Sequence, residues 1–115
     1  MPIMNILAEV TVSNFSVALV WYERLLGRPA DQLPMDNLAV WQITETGGIQ
    51  VWRDVNRAGK ALMTISVDDL KAHMAGLAQR DITSQSDTDT KNVLTATVVD
   101  PDGNRITFAE VLSTT

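Results

Sequence analysis

The sequence predicts an α+β fold of two βαβββ modules in tandem, their strands forming one curved, cleft-lined mixed sheet with the helices outside it. Two observations lead there. Leu7 to Leu26 reads as an alternating strand, a polar cap and an amphipathic helix, and Leu62 to Asp81 repeats that order at a constant offset of 55 residues. Val10 aligns with Ile65, Thr11 with Ser66, Val12 with Val67, Asn14 with Asp69 and Phe15 with Leu70. After each helix come further strand-like runs, ending at Arg53 and Val111. A repeat of this size cannot bury its own apolar face, so two copies are expected to close on each other. A cleft between them is a natural place for a ligand.

In residues 6–12, Ile6, Ala8, Val10 and Val12 fall on one face of a strand and Leu7, Glu9 and Thr11 on the other. Asn14 caps a helix whose apolar residues include Val17, Leu19, Val20, Leu25 and Leu26, and Gly27 and Pro29 end it. Residues 31–36 read as a loop or short edge strand. Leu38 to Ile43 and Ile49 to Arg53 are strands joined by the turn Glu45-Thr46-Gly47-Gly48. The polar stretch from Asp54 to Lys60 divides a first module, 5–55, from a second, 60–112, within a single domain over 1–115. The second module starts with a strand over 61–67, a cap at Asp68 or Asp69 and a helix to about Arg80. A polar loop over 84–92 and a strand from Val93 to Val99 come next. Asp100-Pro101-Asp102-Gly103-Asn104 is then a strong turn signal before the last strand, Arg105 to Val111. Residues 113–115 are expected to fray.

Composition removes several classes of function. The net charge of −5, without a basic stripe, argues against a nucleic-acid partner. Cysteine is absent, which excludes disulfides, thiolate catalysis and cysteine-ligated metals. A single histidine leaves no nucleophile–base–orienter set for serine hydrolysis. Met1-Pro2-Ile3-Met4-Asn5 lacks the basic start and apolar core of a signal peptide, and no apolar run is long enough to span a membrane. The expected location is the cytoplasm.

Asp100-Pro101-Asp102-Gly103-Asn104 followed by Arg105-Ile106-Thr107-Phe108 resembles the vicinal oxygen chelate superfamily. Val12-Ser13-Asn14 leading to Trp21-Tyr22-Glu23-Arg24-Leu25-Leu26-Gly27 is similar to that family's first helix. Glyoxalase I, extradiol dioxygenases and bleomycin-resistance proteins share this fold, and the likeness covers roughly residues 5–112. By the resemblance, metal ligands would stand at Leu7, Gln50, Leu62 and Thr107, with Glu110 three residues beyond the last. Two of these are hydrocarbon and offer a metal no lone pair, so no metal and no cofactor are expected.

If the cleft face is the one bearing Leu7, then Glu9 and Thr11 share it. Glu9 would act there as a base or bind a cation, or would pair with Arg53 or Arg105. Trp52 shares parity with Gln50, and Trp41 sits on the neighbouring strand; both indoles suit a flat or cationic ligand. Thr64, Ser66, Thr95, Thr97 and Thr107 share the same parity in the second module. The candidate ligand-binding set is therefore Leu7, Glu9, Thr11, Trp41, Gln50, Trp52, Leu62, Thr64 and Thr107. Trp21 reads as helix packing and His73 as a helix-surface residue. The resemblance implies a metal-free binding protein of the bleomycin-resistance type, a homodimer holding an aromatic or cationic small molecule between modules or across the dimer interface. The alternative is a lyase, isomerase or dioxygenase with a degenerate metal site.

Overall fold

The computed structural model describes residues 2–112. The chain runs β1 (Ile6–Val12), α1 (Phe15–Leu26), β2 (Gln32–Met35), β3 (Leu38–Thr44), β4 (Gly47–Arg53), β5 (Leu62–Ser66), α2 (Leu70–Gln79), β6 (Ser86–Asp89), β7 (Val93–Val99) and β8 (Arg105–Val111). This is the α+β architecture of two tandem βαβββ modules. Each module makes a four-stranded sheet, in the orders β1-β4-β3-β2 and β5-β8-β7-β6. The first strand of each is parallel to its neighbour, and the other pairings are antiparallel. Both β1 and β5 are edge strands. The strands thus divide between two sheets, and the single continuous sheet expected from the repeat is not formed.

Local chemistry sets the helix ends. Asn14 is extended (φ −125°, ψ 104°), and its side chain accepts from Val17 N to cap α1. Gly27 ends α1 in the left-handed region (φ 75°), with its N–H donating to Glu23 O at 2.8 Å. Asp69 caps α2 through Ala72 N, and Glu110 Oε1 accepts from Leu70 N at 2.8 Å. Glu110 is therefore a second acceptor for the orphan N–H groups of that helix start.

The polar loop expected over 84–92 contains β6 instead. All four β6 residues are exposed and pair with β7 on one side only, so backbone bonds alone define the strand. No apolar alternation marks it in the sequence.

One core cluster spans both modules. Ala18, Tyr22 and Leu25 of α1 pack with Val10, Val12, Trp41, Ile49 and Val51, and Leu70 and Leu77 of α2 with Ala96, Val98, Ile106 and Phe108. The turn over 100–104 locks the modules together. Asp100 (4% exposed) accepts from Tyr22 OH at 2.8 Å and from Asn104 Nδ2 at 2.7 Å. Asn104 also donates to Thr11 O and accepts from Ala61 N, while Ser13 N donates to Asp102 at 3.0 Å. Gly59 (φ 85°) lies against this turn, and a Cβ there would stand 2.2 Å from Asp102 O. Only glycine permits that approach.

Candidate functional site

Alternation along β1 and β4 sends one set of side chains toward the helices and the other to an uncovered face. Val10, Val12, Ile49 and Val51 take the helix side and are buried. Leu7, Glu9 and Thr11 take the other, in register with Gly48, Gln50 and Trp52 of β4. Beside them on β3 are Leu38, opposite Trp52, and Val40, opposite Gln50.

This face has a definite polar arrangement. Gln50 Nε2 donates to Glu9 Oε1 at 3.2 Å, and Thr11 Oγ1 donates to Arg57 O at 2.8 Å. The expected pairing of Glu9 with Arg53 or Arg105 is absent; Arg53 Nε donates to Ser13 O instead. Trp52 Nε1 is sealed from solvent without a hydrogen-bond partner, although the residue is partly exposed. Such an unmet buried donor is uncommon in folded proteins. Leu7 closes over Gly48, where a Cβ would stand 2.9 Å from Leu7 Cδ2 and 2.4 Å from Trp41 O.

The second module repeats the arrangement with different chemistry. Leu62 and Thr64 of β5 lie opposite Arg105 and Thr107 of β8, and Thr97 of β7 lies opposite Thr107. The Thr97 and Thr107 hydroxyls share a hydrogen bond of 2.8 Å. Leu62, Thr64, Thr97, Arg105 and Thr107 line a depression of about 330 Å³ together with Met63. The first face carries a carboxylate and an indole, the second hydroxyls and a guanidinium.

The candidate residues thus form two groups on two sheets. Leu7, Glu9, Thr11, Gln50 and Trp52 stand together on the first, and Leu62, Thr64 and Thr107 on the second. Trp41 belongs to neither. It lies on the helix side of β3, fully buried, with Nε1 donating to Arg28 O at 3.0 Å. The parity of Ala39, Trp41 and Ile43 opposes that of Leu38 and Val40, so the core takes the indole. Three residues lining this depression, Met63, Thr97 and Arg105, stand outside the candidate set, although Thr97 and Arg105 share the face of Thr107.

The donors at the family's metal positions do not fit a metal. Leu7 and Leu62 are hydrocarbon, Gln50 is turned to Glu9, and Thr107 is bonded to Thr97. Glu110 is engaged at the start of α2. Among the described residues, no group of three His, Cys, Asp or Glu side chains could hold a metal ion. No helix among them is long and apolar enough to cross a membrane.

No family model matches the chain, and no curated protein matches it. Solved structures do. A glyoxalase / bleomycin resistance protein from Catenulispora acidiphila DSM 44928 is 36% identical with a TM-score of 0.90, over 94% of this chain and 98% of that one. The architecture and its two open faces are those of the vicinal oxygen chelate fold. At that identity and coverage, the chain belongs to the glyoxalase / bleomycin resistance family. TnmS3, an antibiotic-binding protein from Streptomyces sp. CB03234, shares the fold at 22% identity and a TM-score of 0.77, over 96% of this chain and 98% of that one. A glyoxalase / bleomycin resistance protein from Albidiferax ferrireducens T118 shares it at 17% identity and a TM-score of 0.69, over 90% and 95% of the two chains.

Proposed function

We propose that this family member is a metal-free small-molecule-binding protein that sequesters a flat, cationic or aromatic ligand against its open sheet faces. The observation that carries the reading is the block of Glu9 beside Gln50 and Thr11 beside Trp52 on one uncovered face. A carboxylate and an indole at diagonal positions of two paired strands suit a flat cation, which gains stacking area and charge attraction together. Leu7 and Leu62 at the family's metal positions favour binding over metal-assisted chemistry. The antibiotic-binding neighbour has the same fold, which is consistent with sequestration.

In this reading a homodimer completes the site, with the second module of one copy closing over the first module of the other. Leu62 (78% exposed) and Met35 (67% exposed), which pairs with Leu38 on the first face, are apolar surfaces suited to such a cover. Arg105 and the threonines would then oppose the carboxylate face. Sedimentation combined with a thermal-shift screen tests this. A dimer that Leu62→Asp converts to monomer, and whose cationic aromatic ligands are lost with it, supports the reading. A monomer that binds such ligands unaltered by Leu62→Asp refutes the shared site.

A further inference from the structure

A second cavity, of about 480 Å³, lies on the helix side of both sheets. It is bounded by Leu26 at the carboxyl end of α1, by Ile65 of β5 and Phe108 of β8, and by His73, Arg28 and Arg80. Ile65 and Phe108 have the opposite parity to Thr64 and Thr107, so this cavity is separate from the open faces. Its size falls in the range of small-molecule sites.

The polar groups here are not equivalent. Arg28 is neutralised, with Nη1 on Asp31 at 2.9 Å and Nη2 donating to Gln42 O. Arg80 donates only Nε, to Arg24 O, and its two terminal nitrogens make no hydrogen bond among the described residues. Its guanidinium lies over Gly27, 3.6 Å from where a Cβ would stand, which is ordinary van der Waals contact. His73 packs against Phe108 with ring centroids 4.4 Å apart and planes tilted by 43°, and its Nε2 is sealed from solvent without a partner. In a chain of net charge −5, a cavity with a free guanidinium fork beside an imidazole does not follow from composition. The position expected for a helix-surface histidine is instead part of a wall.

We infer that this inter-module cavity binds a small organic carboxylate, its oxygens on the two free nitrogens of Arg80 and its apolar body against Phe108, Ile65 and Leu26. A guanidinium presents two parallel N–H groups at the spacing of a carboxylate, which a lone ammonium cannot do. The ring of His73 sits beside that headgroup, and the hydrocarbon wall takes the remainder of the molecule.

His73 is the chain's single histidine, so its imidazole resonances report on the cavity without assignment ambiguity. Burial, and then the neighbouring Arg80 charge, hold its pKa below the ordinary 6.5. Titration of the full chain with benzoate should shift these resonances saturably and raise the His73 midpoint, because a bound anion offsets Arg80. Arg80→Gln should weaken benzoate by roughly tenfold or more, the loss of a charge-assisted bidentate contact. Benzamide, which keeps the shape without the charge, should bind about as poorly to the unmodified chain. Arg80 also caps α1, so Leu26→Trp, which fills the cavity and leaves Arg80 in place, gives an independent loss of binding. No saturable shift at millimolar benzoate overturns the proposal, as does equal binding of benzamide or full affinity in a folded Arg80→Gln or Leu26→Trp chain.

Discussion

The Tyr22 hydroxyl donates to Asp100 Oδ2 at 2.8 Å, joining the helix of the first module to the last turn of the second through a buried contact. Asp100 also accepts from Asn104 Nδ2 and from the N–H groups of Asp102 and Asn104. Removing the phenol alone leaves the carboxylate satisfied by three donors. Tyr22→Phe should cost about 1–3 kcal/mol, whereas Asp100→Ala strands four donors at once and should cost more. Denaturant unfolding measures both; a neutral Asp100→Ala would show that the turn does not hold the modules.

Tyr22 is the only tyrosine, and burial, followed by the Asp100 charge and hydrogen bond, pushes its pKa well above the usual range. A phenol whose folded pKa is raised contributes stability that is intact below about pH 10, its unfolded value, and lost as pH rises beyond it. Phenolate absorbance should therefore appear together with unfolding in an alkaline titration, and Tyr22→Phe should lose the corresponding slope of stability against pH. Phenolate forming near pH 10 in a still folded chain would contradict this burial.

Trp41 and Trp52 differ in face, and substitution should separate them. Trp41→Ala removes a fully buried indole and its bond to Arg28 O, so a loss of roughly 3–5 kcal/mol in stability is expected. Trp52→Ala should change stability less and ligand binding more. Equal destabilisation by the two would remove the distinction between core and open face.

Much of the fold was legible because its signals are local. Asn14, Gly27 and Asp69 are chemically committed caps, and the turn over 100–104 carries its own Asx geometry. The parity of Glu9, Thr11, Gln50 and Trp52 follows from a strand period of two, whereas the register that sets Glu9 beside Gln50 comes from the β1–β4 pairing. Other features depend on partners far along the chain. Polar β6 has no pattern because only its backbone is paired, and Trp41 faces inward because α1 covers that side. His73 becomes a cavity wall through its tilted contact with Phe108, which no helical periodicity encodes. Whether β1 and β5 join was equally invisible, since both are edge strands whose unpaired groups are the same in either arrangement.

Metal content follows from the donor set. The chain purified without chelators should carry no stoichiometric transition metal by elemental analysis, because tight sites normally need three or four ligands and Leu7 and Leu62 supply none. Zinc, nickel, iron or manganese at one per chain, surviving dialysis, would contradict this.

Calorimetry on the open face tests the proposed ligand site most directly, using the first cationic aromatic compound that raises the melting temperature of the unmodified chain. Trp52→Ala should weaken it by about 1–3 kcal/mol through lost stacking. Glu9→Gln should weaken it through lost charge, by an amount that shrinks with added salt. Trp21→Ala, a change in α1 away from that face, should leave affinity intact while lowering stability. Unchanged affinity in folded Trp52→Ala and Glu9→Gln chains would contradict a ligand site on this face.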